Sequence, residues 1–122
     1  MTGKILVVED DDVNRRLFVS LLNEQGYDVL EAVDGEEAIK AIEEESPSLI
    51  LLDMMIPKIN GLVVFRDCRD RGLLDNKKVY ALTAAPTSDL MDEGFNGIIS
   101  KPVRIMEFLE TVSEALKSFS SP

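Results

Sequence analysis

The sequence has no histidine and a single cysteine, Cys68. One thiol cannot form a disulfide within the chain, and cysteine- or histidine-based zinc sites need several such ligands. Apolar runs are short as well: four apolar residues follow Lys4, too few for a signal-peptide core, and no run approaches the length of a membrane span. We therefore expect a cytoplasmic protein that does not insert into a membrane, with Cys68 serving as a packing residue.

Basic residues are few compared with acidic ones: 13 against 23, for a formal charge of −10. This charge repels phosphate backbones and anionic membranes, so direct binding to nucleic acid is not expected. A partner or ion with positive charge suits the chain better. The 122 residues are 45% apolar and 30% charged, without repeats or low-complexity tracts, which predicts one globular domain over residues 1–122.

Short apolar runs alternate with amphipathic stretches along the whole chain. The central run, Leu49 to Leu52, has four large apolar residues before Asp53, which is typical of a parallel strand buried on both faces. The predicted strands are 5–8, 27–32, 49–53, 78–83 and 98–100. Helices are predicted over 13–25, 36–45, 62–71, 86–93 and 104–119, the fourth short or irregular and the last the longest.

Helix signals support these boundaries. Val13, Leu17, Leu21 and Leu22 recur at helical spacing in the first helix, with Asp11 or Asp12 as its N-cap and Gly26 as its left-handed stop. Five strand–helix units with right-handed crossovers predict a doubly wound α/β fold, a parallel sheet in the order 2-1-3-4-5 with helices on both faces.

Side chains that can bind a metal ion or take part in catalysis lie at the ends of four of the predicted strands. They are Glu9 and Asp10 after the first, Asp53 on the third, Thr83 on the fourth and Lys101 after the fifth. Ligands of open α/β sheets bind outside the carboxyl ends of the strands, at the point where neighbouring strands, here the first and third, send their helices to opposite faces. Ordinary turn and capping roles are the alternative for each residue taken alone.

These residues resemble the receiver domain of two-component response regulators, which has a flavodoxin-like fold. The resemblance runs from Lys4 to about Phe119. It rests on five motifs in order: Val7-Val8-Glu9-Asp10, Leu51-Leu52-Asp53-Met54, Pro57 with Gly61, Thr83-Ala84, and Lys101-Pro102.

The resemblance implies a signalling switch, not a conventional enzyme, that takes a phosphoryl group from a histidine kinase or phosphotransfer protein. Asp53 is the implied phospho-acceptor, and Glu9, Asp10, Asp53 and the backbone carbonyl of Met55 are the implied Mg²⁺ ligands. Thr83 and Lys101 are the implied partners of the phosphoryl group. A cis bond between Lys101 and Pro102 is also implied.

Further expectations follow from the same resemblance. The switch assists its own Mg²⁺-dependent phosphotransfer and dephosphorylation, changes its contacts with a downstream protein, and is a monomer when unphosphorylated. The absence of a linker after Phe119 favours a stand-alone regulator.

Three features depart from the family pattern. Ile98 stands where an aromatic residue usually precedes the lysine by three positions. The interval from Thr83 to Lys101 is shorter than usual, and the loss falls in 86–93. Met55 and Ala85, each two residues after a site residue, are apolar where side chains often influence the access of water to the phosphoryl group.

Two other functional classes share parts of this pattern. An aspartyl-phosphate hydrolase characteristically carries a second acid two residues after its nucleophile, and Met55 occupies that position here. A receiver-like module that works by protein contact alone, without phosphate, is the more serious alternative because the fourth-helix region is altered. The acceptor, acids, threonine and lysine all present argue against it.

Overall fold

Strands and helices alternate throughout residues 3–85 and 88–117, the part of the chain described by the structure, a computed structural model. The strands are β1 (Ile5–Val8), β2 (Val29–Ala32), β3 (Leu49–Asp53), β4 (Lys78–Thr83) and β5 (Gly97–Ser100). The helices are α1 (Asp12–Glu24), α2 (Gly35–Glu45), α3 (Gly61–Asp70), α4 (Ser88–Glu93) and α5 (Ile105–Lys117).

The strands form one parallel sheet in the order β2-β1-β3-β4-β5. This confirms the predicted fold and strand order. All five residues of β3 are buried, because β1 and β4 flank the strand and helices cover both faces of the sheet. The order places the ends of β1 and β3 side by side, with Val8 opposite Leu52.

Alternate residues of the central strands enter two separate cores. Leu6 and Ile50 face one core, which α2 and α3 close with Ile42 and Phe65 among others. The opposite core contains Ile5, Val7, Leu49 and Leu51, and is closed by α1 and α5 through Phe18, Leu22, Phe108 and Val112. Two full apolar layers thus hold the sheet in place and leave its carboxyl edge open for polar residues.

Capping residues fix where the helices begin and end. The side chains of Asp11, Asp34 and Asn60 accept hydrogen bonds from backbone N–H groups in the first turns of α1, α2 and α3, at 3.0, 2.8 and 3.0 Å. Gly26 adopts a φ of 88° after α1, as the sequence predicts for a left-handed stop.

The buried face of α1 differs in part from the prediction, since Leu21 and Leu22 pack against the core as expected but Val13 and Leu17 do not. Val13 is 77% exposed and Leu17 42% exposed, whereas Arg15, Phe18 and Leu22 are buried. Both sets have helical spacing, so periodicity alone does not choose between them. The large ring of Phe18 decides the orientation, because it stacks on Phe108 of α5 with ring centroids 5.0 Å apart.

The fourth helix is short, as predicted: α4 has six residues, none of them buried. The last helix is not longer than the first within the described residues, since α1 and α5 each have 13. Pro86, the predicted start of the fourth helix, and Phe119, the predicted end of the last helix, lie outside the described residues. No helix in those residues is long and apolar enough to cross a membrane.

Candidate functional site

Three carboxylates meet at the carboxyl edge of β1 and β3. Glu9 follows β1 directly, Asp10 comes next, and Asp53 is the last residue of β3. Their nearest carboxylate oxygens all lie within 4.8 Å of one another. Glu9 and Asp53 are buried and Asp10 is exposed, so the cluster opens to solvent on the side of Asp10.

Backbone hydrogen bonds hold the turn between β1 and α1. The Glu9 N–H donates to the carbonyl of Ala32 at 3.1 Å, which extends the pairing with β2 by one residue. The Asp11 N–H donates to Glu9 Oε2 at 3.2 Å. Glu9 is therefore fixed at both its main chain and its carboxylate.

Lys101 enters the cluster from the end of β5. Its Nζ contacts Asp53 Oδ2 and lies 3.0 Å from Glu9 Oε1. Its backbone N–H donates to the Thr83 carbonyl at 2.8 Å, and its bond to Pro102 is cis, as the family resemblance implied. One ammonium group thus bridges the two buried carboxylates.

The electrostatics of this cluster favour a further positive charge. Burial, together with a hydrogen bond to Asp53, raises the pKa of Glu9 to about 7, although Lys101 acts in the opposite direction. Burial lowers the pKa of Lys101, but its bonds to Asp53 and Glu9 outweigh that effect and raise it overall. Lys101 is therefore charged at neutral pH, whereas Glu9 is protonated in a fraction of the molecules.

The two oxygens of Asp53 have different surroundings. Oδ1 accepts a hydrogen bond from the Met55 N–H at 2.8 Å, and Oδ2 contacts Lys101. The Met55 side chain is 80% exposed. The ligand role of the Met55 carbonyl stays a prediction.

Thr83 is buried at the end of β4, on the same edge of the sheet. In the part of the chain that the structure describes, its Oγ1 accepts a hydrogen bond from the Ala85 N–H at 3.1 Å instead of contacting Asp53. The structure therefore brings Glu9, Asp10, Asp53 and Lys101 into one cluster, with Thr83 beside it.

The acidic cluster fits Mg²⁺ by its chemistry. Mg²⁺ takes oxygen ligands at about 2.1 Å in an octahedron. One carboxylate oxygen from each of the three acids lies within 4.8 Å of the others, so the three acids are candidates for ligands of one ion. Carboxylates with retained waters are the usual way in which proteins bind this ion.

Sequence reasoning missed one residue behind the cluster. Arg15 of α1 is buried and donates from Nη1 to the Glu9 carbonyl at 3.1 Å. A signal was present in the sequence, because Arg15 shares its helical face with Phe18 and Leu22. An arginine on an inward face must find buried acceptors.

A groove of about 710 Å³ lies elsewhere, between β5 and α5. Lys101 and Pro102 form one end of it, but Glu9, Asp10 and Asp53 do not line it. The groove is therefore separate from the acidic cluster, although Lys101 belongs to both.

Comparison with known proteins identifies the family. Residues 5–113 match the family described as "Response regulator receiver domain". The chain is similar to the polar-differentiation response regulator DivK of Brucella ovis, with 34% identity over 120 residues, 95% of this chain and 98% of that one.

Two solved structures share the fold. The Francisella response regulator 1452 receiver domain has 25% identity and a TM-score of 0.89, covering 98% of this chain and 100% of that one. The receiver domain of the sensor histidine kinase PA1611 from Pseudomonas aeruginosa has 26% identity and a TM-score of 0.85, covering 96% and 99%. That structure holds a magnesium ion in its active-site cleft. This chain belongs to the response regulator receiver domain family of two-component signalling.

Proposed function

We propose that this protein is a phosphoryl switch in which Asp53 accepts a phosphoryl group from a histidine kinase or phosphotransfer protein. The observation that carries the proposal is the setting of Asp53. It is a buried carboxylate at the end of β3, with Met55 N–H on one oxygen, Lys101 on the other, and two acids within 4.8 Å. A turn-forming aspartate has no need of this set of partners.

The transfer is a displacement at phosphorus. One Asp53 oxygen attacks the phosphorus of a phosphohistidine and the P–N bond breaks; the imidazole nitrogen keeps the electron pair and takes a proton from solvent. Lys101 offsets charge on the phosphoryl oxygens, and the Met55 N–H is a further donor beside Asp53. Attack of water on the same phosphorus releases phosphate and restores Asp53.

Glu9, Asp10 and Asp53, with the Met55 carbonyl, are the proposed Mg²⁺ ligands. Support comes from the spacing of the three carboxylates and from the related receiver domain of PA1611, whose active-site cleft holds magnesium. When bound, Mg²⁺ supplies the positive charge that phosphoryl transfer requires. The protein's own part is to hold Asp53 at the end of β3, with the Met55 N–H on one carboxylate oxygen and Lys101 on the other.

The proposed output is a change in the contacts that this protein makes with a downstream partner protein. Lys101 already touches Asp53, so Thr83 is the residue that has to exchange its Ala85 hydrogen bond for the phosphoryl group. Because Thr83 and Lys101 end β4 and β5, that exchange is transmitted towards α4, β5 and α5. Half-buried Ile98 on β5 makes the response a shift of aliphatic packing.

We further propose that residues 1–122 work as one receiver domain in the cytoplasm, monomeric when unphosphorylated. The family match over residues 5–113 and the charge of −10 support this. The same charge argues against direct binding to nucleic acid.

Acetyl phosphate with Mg²⁺ tests the proposal. We expect intact-mass spectra to show one added phosphoryl group on wild type and on Asp70→Asn, an exposed α3 control, and none on Asp53→Asn. Equal phosphorylation of Asp53→Asn would place the acceptor elsewhere. Failure of wild type to take either acetyl phosphate or beryllofluoride would favour the phosphate-independent module.

A further inference from the structure

Arg15 is a buried cation that ties three segments together behind the acidic cluster. Its side chain is 10% exposed. Its guanidinium donates to the Glu9 carbonyl at 3.1 Å, to Glu31 Oε1 on β2 at 3.1 Å and to Asp12 Oδ1 in the first turn of α1 at 2.6 Å. The rigid fork of an arginine can make these three bonds at once.

The bond to Glu9 bears directly on the orientation of two proposed Mg²⁺ ligands. The Glu9 carbonyl and the Asp10 nitrogen belong to one rigid peptide plane. Arg15 holds that plane from the α1 side, while the Glu9 carboxylate lies 3.0 Å from Lys101 on the opposite side. Holding the plane restrains the main chain on both sides of it, and so limits the directions in which the Glu9 and Asp10 side chains leave it.

The charge of Arg15 is balanced locally. Glu31 and Asp12 both face its guanidinium, so the group as a whole carries more negative than positive charge. Replacing Arg15 by a neutral residue therefore makes this group more negative by one charge, which on electrostatics alone would strengthen the binding of a cation. A positioning role predicts the opposite sign, because loosened ligands bind more weakly.

We propose that Arg15 is a positioning residue for the Mg²⁺ site, acting through the main chain of Glu9 and Asp10. The inference rests on the proposed function, since it presupposes that these carboxylates bind Mg²⁺. Residues that orient metal ligands typically change metal affinity by about 10- to 100-fold when replaced. For this open site we expect the low end, roughly tenfold.

The test is an Mg²⁺ titration of wild type, Arg15→Met, Arg15→Lys and Ile42→Ala. Two quantities are measured at each Mg²⁺ concentration: the amide NMR shifts and the rate of phosphorylation by acetyl phosphate. Ile42 is buried on α2 and serves as a variant that loses stability without touching the acids. We expect Arg15→Met to bind Mg²⁺ about tenfold more weakly, with its phosphorylation rate recovering at saturating Mg²⁺. Arg15→Lys should resemble Arg15→Met, because an ammonium group cannot span the three acceptors.

The outcomes separate the explanations. Arg15→Met should also shift the Asp10 and Asp11 amides before Mg²⁺ is added, and Ile42→Ala should change neither those amides nor the affinity. Unchanged or tighter binding by Arg15→Met overturns the positioning role, as does wild-type affinity in Arg15→Lys. A wild type that binds no Mg²⁺ at these acids overturns the proposed function and the inference with it.

Discussion

The raised pKa of Glu9 makes Mg²⁺ binding a proton-releasing event. Mg²⁺ coordinates ionised carboxylates, whereas burial raises the pKa of Glu9 to about 7, so metal-free protein at neutral pH carries part of a proton there. We therefore expect the apparent Mg²⁺ affinity to rise with pH through 7. Replacing Glu9 by glutamine removes the titrating group and should flatten this dependence.

The size of the effect follows from the fraction of Glu9 that is ionised. With a pKa of about 7, roughly one molecule in ten has an ionised Glu9 at pH 6 and roughly nine in ten at pH 8. The apparent dissociation constant should therefore fall about tenfold between these two values and change little above pH 8.

Stability of the metal-free protein should change in the opposite direction. A carboxyl whose pKa is higher in the folded than in the unfolded state favours folding while it is protonated. Its effect turns unfavourable as pH rises from the usual range of glutamate, near 4.5, through about 7. Saturating Mg²⁺ should remove this decline, since the folded state then binds the ionised form.

Thermal melting with and without Mg²⁺ between pH 6 and 8 measures both effects, and amide NMR titrations give the affinities. The stabilisation by Mg²⁺ should grow with pH in wild type. Asp10→Asn should weaken binding throughout but keep the slope, because Glu9 is intact. Equal affinity at pH 6 and 8 in wild type, or an unchanged slope in Glu9→Gln, would refute the assignment of the proton to Glu9.

Two further predictions concern the packing around α3. Replacing Phe95 by alanine should cost about 3–5 kcal/mol in urea unfolding, since its buried ring stacks on Phe65 at 3.9 Å, and exposed Met91→Ala should change stability by less than about 0.5 kcal/mol. Similar losses for both variants would contradict this account. Cys68 should resist thiol reagents in the native protein, because it is fully buried and burial raises its pKa to about 11. Rapid labelling at neutral pH without denaturant would show that the α3 core opens.

Local patterns were sufficient to predict the strands and their order. The run from Leu49 to Asp53 predicts a strand buried on both faces, and it has those bounds and that burial in the structure. Right-handed crossovers then left little freedom in the order of the sheet. The meeting of Glu9, Asp10 and Asp53 follows from that order without any knowledge of their side-chain conformations.

Features that depend on packing between distant segments were not predictable in the same way. Val13 and Leu17 have helical spacing, but α1 turns them outwards because the Phe18 ring finds Phe108 at the other end of the chain. The role of Arg15 was hidden for the same reason, since its acceptors include Glu31 on another strand.

The way in which α4 is attached has a consequence for the order in which the molecule opens. None of its residues is buried, and Glu93 at its end forms ion pairs with Arg66 and Arg69 of α3. Arg69 also donates a hydrogen bond to the Glu93 carbonyl. Screening by salt weakens such pairs. Amides of α4 should thus exchange with solvent by a local opening whose free energy falls with ionic strength, while those of β3 exchange only when the whole domain unfolds. Added salt should therefore speed amide exchange in α4 before it affects exchange in the sheet.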